Sequence, residues 1–308
     1  MKPRFSIFTH VNILATKVVN HITAFDISPL RIFPSDTYPL WLIASFMWLM
    51  PALSASVLAQ GFSHGTAVFA IRTPNEIVVA ADSRSVSGNG IPNPEPICKI
   101  RRFGDAYVVV NGMSQDTPSG YEVFSVLKAA SERRGHLTDK ISAFESMVKA
   151  PLEKALNRLR HENPAAFQRN AIKIAPLGVN FFGIERGVLA LYNRRFVATP
   201  SANNGVLIII ERRGCPGADC PEGVAFATVS AAEFRERFER ENPNFIQGSL
   251  VEAARKFVQM QIDEKVVDVG PPIDILRITK TGAKWIQKKP ECEEEKKSKK
   301  SGRRQRRI

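Results

Sequence analysis

The chain has 308 residues, of which 44% are hydrophobic and 24% are charged, and it contains four cysteines. This composition is typical of a globular protein and excludes a wholly disordered chain, a fibrous protein and a small disulfide-rich scaffold. The formal net charge of +13 is concentrated at the ends, with +6 in residues 288–308 and +2 in residues 1–65. The remaining +5 over residues 66–287 gives no reason to expect a nucleic-acid-binding domain.

The first predicted element is an uncharged apolar segment from Leu40 to Ala59. It is long enough to cross a bilayer, but Pro51 and the small residues after it favour a signal peptide cleaved after Ala59. Because an unusually long stretch precedes the segment, a retained membrane anchor and a buried helix remain as alternatives. We expect residues 1–65 to combine this targeting segment with a short propeptide. The protein would then be exported (periplasmic or secreted) or membrane-anchored, and cytoplasmic only if these residues do not target it.

Two β-hairpins are predicted next. Residues 66–72 and 76–82 are short β-branched and apolar runs separated by a turn cluster, and residues 97–103 and 106–111 are separated by Gly104-Asp105. We expect the two hairpins to form the edge of one antiparallel sheet.

Helices and further strands follow the hairpins. One helix is predicted to begin near Ser119, and a second has an apolar stripe from Ile141 to Leu159. Its basic face favours a solvated surface over a nucleic-acid site; it comprises Lys149, Lys154, Arg158 and Arg160. The later elements are strands at 177–184, 188–194, 206–212 and 224–230, a helix at about 249–263, and a hairpin at 273–287. This order fits an α+β sandwich in which two sheets face each other and helices cover their outer faces.

Cys215 and Cys220 bracket the short sequence CPGADC, whose Pro and Gly can turn the chain back on itself. A disulfide is expected there if the compartment is oxidising. Two unrelated thiols are the alternative, and a zinc pair is disfavoured because no second CxxC or histidine pair lies nearby.

Residues 288–308 form a basic segment that contains almost no apolar residue. We expect a solvated, disordered tail. The alternative is a docking arm for an acidic surface such as anionic lipid or nucleic acid.

The most specific motif surrounds the first hairpin. Gly65-Thr66 stands at the start of the first strand, Asp82-Ser83-Arg84 ends the second, and Lys99 lies on the third. The run HGTAVFAIRTPNEIVVAADSR resembles the beginning of a proteasome β subunit, an amino-terminal-nucleophile hydrolase. The resemblance implies a four-layer αββα sandwich over residues 66–287, in which a propeptide ending at Gly65 is removed and Thr66 becomes the nucleophile.

The same resemblance implies further site residues. Asp82 and Lys99 would be catalytic, and the backbone N–H of Gly112 would contribute to an oxyanion hole. Ser230 would lie beside the threonine amine. Asp263 would supply a further carboxylate, with Asp268 as the alternative, because the Ser-Gly-Gly turn of the family is replaced by VGPPIDILRI.

The chemistry explains why these residue types occur together. A threonine hydroxyl needs a base, and an amino-terminal threonine carries one in its own α-amine, whose reference pKa is about 7.7 to 8.0. A nearby Lys99 cation would favour the neutral amine, and Asp82 would keep Lys99 charged. We therefore expect a threonine peptidase that cleaves itself at Gly65–Thr66 and then hydrolyses peptides or proteins.

Two other functions remain open at this stage: a catalytically inactive assembly or binding subunit, and an amidase or acylase acting on small amides. The five histidines are dispersed and form no HExxH motif, so we expect neither a metal nor another cofactor. The resemblance also implies a ring-like homo-oligomer. Membrane association would depend on residues 40–59.

Overall fold

The computed structural model describes residues 62–63, 67–86, 96–172, 175–201, 205–217, 220, 225–229, 232–266, 268–290 and 292. The predicted targeting segment at 40–59 and the processing site Gly65–Thr66 lie outside these residues, as do Ser230 and the tail after 292. Within the described part of the chain, no helix combines the length and apolarity that a membrane span requires.

The strands in the described ranges are antiparallel and alternate with helices in long blocks. They are β1 (Phe62–Ser63), β2 (Val68–Arg72), β3 (Glu76–Ala81), β4 (Ile100–Phe103), β5 (Ala106–Met113), β6 (Gln115–Asp116), β7 (Tyr121–Glu122), β8 (Leu177–Glu185), β9 (Val188–Pro200), β10 (Val206–Cys215), β11 (Ala225–Val229), β12 (Asp274–Thr279) and β13 (Gly282–Gln287). The α-helices are α1 (Val123–Ser131), α2 (Leu137–Glu162), α3 (Pro164–Phe167), α4 (Ala232–Glu241) and α5 (Leu250–Asp263). The chain is therefore of the α+β class, as expected.

The two predicted hairpins form, but they belong to different sheets. Strands β2 and β3 are central in a five-stranded sheet of order β11-β2-β3-β12-β13. Strands β4 and β5 belong to a six-stranded sheet. Five of its strands follow the order β1-β5-β8-β9-β10, and the sixth, β4, pairs with β5. The physical reason is visible in β2 and β3, where nearly every residue is buried. Such a continuous apolar run belongs to a strand covered on both faces and not to a sheet edge with one polar face.

Three hydrophobic clusters account for the burial of these strands. One cluster combines residues of both sheets, including Val79 of β3, Val109 of β5 and Leu191 of β9. A second joins helix α2 to the six-stranded sheet, and Phe144 meets Phe181 there at a centroid distance of 5.8 Å. A third joins helix α5 to the five-stranded sheet. Helices α2 and α5 thus each pack against one of the two sheets.

Some element boundaries differ from the prediction. Strand β9 continues beyond 194 because its pairing with β10 extends to Pro200, which lies opposite Val206. Strand β10 continues beyond 212 because the same pairing extends to Cys215, which lies opposite Leu191. Helix α4 was not predicted, since only Phe234 and Phe238 mark its buried side in a mostly charged sequence. Helix α1 begins at Val123 and not near Ser119. Glu122 caps its first turn, because the Glu122 side chain accepts a 2.9 Å hydrogen bond from Phe124 N.

Three basic side chains of α2 bind acceptors in the same chain. Arg158 forms an ion pair with the buried carboxylate of Asp116. Lys154 donates to the carbonyl of Ser119 at 3.1 Å, and Arg160 donates to the carbonyl of Gly205 at 3.0 Å. These contacts agree with a structural role for this face.

All four cysteines are bonded. Cys215 is joined to Cys220 and Cys98 to Cys292, so there is no free cysteine. The second disulfide was not predicted, because 194 residues separate its cysteines. It also corrects the boundary drawn before residue 288: Lys289 is buried and Cys292 is anchored to Cys98, so the folded domain extends beyond 287.

Candidate functional site

Asp82 and Lys99 meet where the two sheets face each other. Asp82 directly follows β3 of the five-stranded sheet, and Lys99 directly precedes β4 of the six-stranded sheet. Lys99 Nζ lies 2.5 Å from Asp82 Oδ1, and the two side chains are 2% and 0% exposed. The packing of the sheets therefore creates a buried ion pair from residues that are 17 positions apart.

The backbone around Asp82 favours its ionised form. Its Oδ1 accepts a 2.9 Å hydrogen bond from Ala67 N, and its Oδ2 accepts 3.0 Å bonds from Arg84 N and Gly270 N. With Lys99, four donors point at the two oxygens. If the carboxyl group of Asp82 were protonated, its O–H hydrogen would face the hydrogen of one of these donors. The arrangement therefore fits an ionised carboxylate.

Burial opposes this charge separation. Loss of hydration raises the pKa of Asp82, while Lys99 and the backbone donors act in the opposite direction. Loss of hydration likewise lowers the pKa of Lys99, while the charges of Asp82 and Asp268 raise it and the charge of Lys289 lowers it further. The Lys99 cation is therefore given up more readily than an ordinary lysine cation as pH rises.

The pair is connected to Thr66 through the chain. Ala67 N, which donates to Asp82 Oδ1, is the amide nitrogen of the Thr66–Ala67 peptide bond. One carboxylate oxygen thus binds both the ammonium of Lys99 and the peptide group that directly follows Thr66. Thr66 itself lies outside the described residues.

Gly112 lies near the end of β5, in register with Ser63 of β1. Its φ is +90°, and a Cβ built at this position would be 2.3 Å from the carbonyl oxygen of Pro176. Both the conformation and the space require glycine here. The pairing with β1 also places Gly112 beside the segment that leads to the Gly65–Thr66 bond.

We predict that Gly112→Ala destabilises the protein by more than a left-handed backbone alone explains. Such strain costs about 1–3 kcal/mol in a non-glycine residue, and the contact with Pro176 adds to it. Gly120→Ala is a matched control, because Gly120 has φ +76° but no atom within 4 Å of the added Cβ. Urea unfolding of both variants measures the difference, and equal losses of unfolding free energy would show that the Pro176 contact is harmless.

The two carboxylate candidates have different surroundings. Asp263, the preferred candidate, is exposed at the end of α5, where it accepts a 2.7 Å hydrogen bond from Gln259. Asp268 is half-buried, and its charge acts on Lys99. Gly270, two residues later, donates to Asp82. The loop after α5 thus approaches the pair, which favours Asp268 over Asp263 as the further carboxylate, and the role of either residue stays a prediction.

Three further residues lie beside the Asp82–Lys99 pair and form a buried cluster with it: Ser83, Asp274 and Lys289. Sequence reasoning assigned no role to any of them. Lys289 Nζ lies 3.0 Å from Asp274 Oδ2 and 2.5 Å from Ser83 Oγ. Ser83 was visible as part of the Asp-Ser-Arg triplet. Lys289 gave no signal, because it stands in a lysine- and glutamate-rich run.

The described residues contain no group of side chains suited to binding a metal ion. Across the part of the chain that the structure describes, no three His, Cys, Asp or Glu side chains are grouped as ligands. The arrangement instead offers a buried cation, a buried carboxylate and a close backbone approach at Gly112, which suit acid–base and electrostatic chemistry.

No protein-family model matches the chain, and no curated protein matches it either. The function is therefore inferred from the chemistry of the cluster and from the motif around Thr66.

Proposed function

We propose that this protein is an amino-terminal-nucleophile hydrolase that uses Thr66 to hydrolyse peptide bonds. One observation carries the proposal: Asp82 Oδ1 accepts hydrogen bonds from Lys99 Nζ at 2.5 Å and from Ala67 N at 2.9 Å. The buried ion pair is thus hydrogen-bonded to the backbone one bond beyond Thr66. This supports Thr66 as the residue on which the cluster acts.

The proposed reaction has two steps. The α-amine of Thr66 accepts the hydroxyl proton while Oγ attacks the substrate carbonyl, and the amine then protonates the departing amino group, leaving an ester on Thr66. Water, deprotonated by the same amine, hydrolyses the ester and regenerates the hydroxyl. Lys99 keeps the amine in its neutral, proton-accepting form by charge repulsion, and Asp82 holds Lys99 in place.

The same hydroxyl removes the leader. Thr66 Oγ attacks the carbonyl of Gly65, and the Gly65–Thr66 C–N bond breaks as its nitrogen takes the hydroxyl proton, which gives an ester and a free α-amine. Water then hydrolyses the ester, which releases the leader and regenerates the Thr66 hydroxyl. The segment just before this bond is held as strand β1, in register with Gly112 and Met113 of β5. This pairing supports an extended peptide at the edge of β5 for both the leader and the substrate.

The proposed architecture is the four-layer αββα sandwich. Its support is the set of three hydrophobic clusters, which connect α2 to one sheet, the two sheets to each other, and α5 to the second sheet. In this arrangement the Asp82–Lys99 pair belongs to the sheet–sheet contact.

The proposed location is an exported compartment. Two disulfides join all four cysteines, and such bonds persist in oxidising surroundings. Substrates are peptides or proteins, no cofactor takes part, and a ring-like homo-oligomer is proposed from the resemblance alone.

The amino-terminal residue of the mature protein tests the proposed function. Mass spectrometry of the active protein should find Thr66 as the first residue, and that preparation should cleave fluorogenic peptides. An active preparation that keeps Gly65 attached would contradict the threonine mechanism. A preparation that begins at Thr66 but turns over only acyl-amides, and no peptides, would contradict the assignment as a peptidase.

A further inference from the structure

The segment after β13 crosses back to the active-site cluster. We call residues 288–292 the closing segment. Lys289 binds Asp274 twice, through its backbone N to Oδ1 at 2.9 Å and through its Nζ to Oδ2 at 3.0 Å. Both side chains are at most 1% exposed. A lysine from a segment rich in charge is thus fully enclosed by the domain.

The ammonium of Lys289 connects the parts of the chain that carry Asp82 and Lys99. Besides Asp274, it donates to Ser83 Oγ at 2.5 Å and to the carbonyl of Ile97. Ser83 directly follows Asp82, and Ile97 lies two residues before Lys99. The ammonium thus forms one ion pair and two hydrogen bonds. The two hydrogen bonds hold the segments on either side of the Asp82–Lys99 pair.

Ser83 extends this connection to the loop after α5. Its hydroxyl donates to the carbonyl of Pro272, and its N–H donates to the carbonyl of Gly270 at 2.9 Å. Gly270 in turn donates to Asp82. The network therefore also reaches the loop whose Gly270 N–H binds the Asp82 carboxylate.

A disulfide fixes the closing segment to the same place. Cys98 directly precedes Lys99, and its partner Cys292 lies three residues after Lys289. The covalent bond and the ammonium thus anchor one short segment at two points beside Lys99.

We propose that Lys289 is a positioning residue for the Lys99–Asp82 pair, held in place by Asp274 and by the Cys98–Cys292 disulfide. The inference rests on the proposed function. Lys289 acts by fixing the backbone on both sides of the pair and by placing a second positive charge near Lys99.

The positive charge of Lys289 shifts the pKa of Lys99 in a direction that can be measured. Among the described residues, Asp82 and Asp268 raise the pKa of Lys99, whereas burial and Lys289 lower it. Removing the charge of Lys289 should therefore raise the pKa of Lys99 and move the loss of the Lys99 cation to higher pH. A residue with only a packing role would leave this transition unchanged.

The test uses the double variant Lys289→Met/Asp274→Asn, which removes both charges and leaves no unpaired buried carboxylate. The matched control is Lys288→Met, which removes the neighbouring charge; Lys288 is half-buried and lies 5.0 Å from the ring centroid of Trp285. For the double variant we expect a kcat about tenfold to a hundredfold lower. The single variant Lys289→Met removes only the positive charge, and for it we expect an alkaline limb at higher pH. The control should match the parent in both quantities, and a double variant that also matches the parent would overturn the proposal.

A second measurement is independent of hydrolysis. Acetylation of lysines followed by peptide mass spectrometry reports whether Lys99 and Lys289 are shielded in the folded protein. Both should be protected in the parent, and Lys99 should react about tenfold faster in the double variant and in Cys98→Ser/Cys292→Ser, because local opening exposes it. Unchanged protection of Lys99 in both variants would overturn the positioning role. If protection changes while the parent shows no peptidase activity, the proposed function fails and the positioning inference does not.

Discussion

Thr66→Ala is expected to retain the residues before position 66 and to lose peptide hydrolysis. The substitution removes the hydroxyl that attacks both Gly65 and the substrate, and loss of a nucleophile lowers kcat by about 10³-fold or more. Thr66→Ser is expected to keep partial cleavage and partial hydrolysis, because it preserves the hydroxyl. Intact mass and fluorogenic peptide turnover measure the two effects.

The control for this prediction is the folded state. Asp82 keeps its four hydrogen-bond donors in Thr66→Ala, because Ala67 N belongs to the backbone, so the melting temperature should stay close to that of the parent. A Thr66→Ala protein that hydrolyses peptides as fast as the parent would show that another residue is the nucleophile. The inactive-scaffold function would be favoured if the parent protein also keeps its leader.

Lys99→Met is expected to abolish most activity and also to weaken the fold. It removes the cation that favours the neutral Thr66 amine, and a single general acid–base contribution is worth about 10²–10⁴ in rate. It also leaves Asp82, which is 0% exposed, without its ammonium partner, and removing one member of a buried pair costs about 3–5 kcal/mol. Turnover and urea unfolding measure the two losses separately.

The lowered pKa of Lys99 also predicts how the activity of the parent protein changes with pH. Burial lowers the pKa of Lys99 from the ordinary 10.5, so the required cation is lost at a lower pH than for a surface lysine. Activity should therefore fall on the alkaline side below the ordinary lysine range. An alkaline limb at or above that range would count against a role for the Lys99 cation.

Lys140→Met is the matched control for Lys99→Met. Lys140 forms the same kind of pair with Asp105 at 2.8 Å, but Asp105 is 80% exposed. Exposed pairs contribute at most about 1 kcal/mol, and this one lies outside the buried cluster. Lys140→Met should keep full activity and nearly full stability, and losses equal to those of Lys99→Met would show that any lysine-to-methionine change harms this chain.

Local patterns in the sequence predicted most of the strands and the longer helices. The run from Ile141 to Leu159 shows helical spacing, and a turn cluster at 73–75 separates β2 from β3. Membership of a sheet could not be predicted in the same way, because the hairpins β2–β3 and β4–β5 are each consistent with either sheet. Only pairing between distant residues, such as Val79 of β3 with Leu276 of β12, decides it.

The candidate site was predictable to the extent that it follows the motif. Asp82 and Lys99 were expected from the resemblance, and the structure brings them to 2.5 Å. Asp268 was only the alternative, because helix periodicity ends at Asp263 and does not show where the next loop folds. Lys289 was missed because its partners Ser83 and Ile97 are 206 and 192 residues away, and its neighbours in sequence are polar.

The separation of 194 residues between Cys98 and Cys292 has a consequence for biosynthesis. Ribosomes make Thr66, Asp82 and Lys99 early, whereas the loop with Gly270 and the segment bonded to Cys98 are made roughly two hundred residues later. A polypeptide that has not reached Cys292 therefore contains the proposed nucleophile without the segments that would hold Asp82 and Lys99. For the proposed hydrolase we expect the residues before Thr66 to be released only after Cys292 has been synthesised, so that the nucleophile is not freed before its surroundings can form.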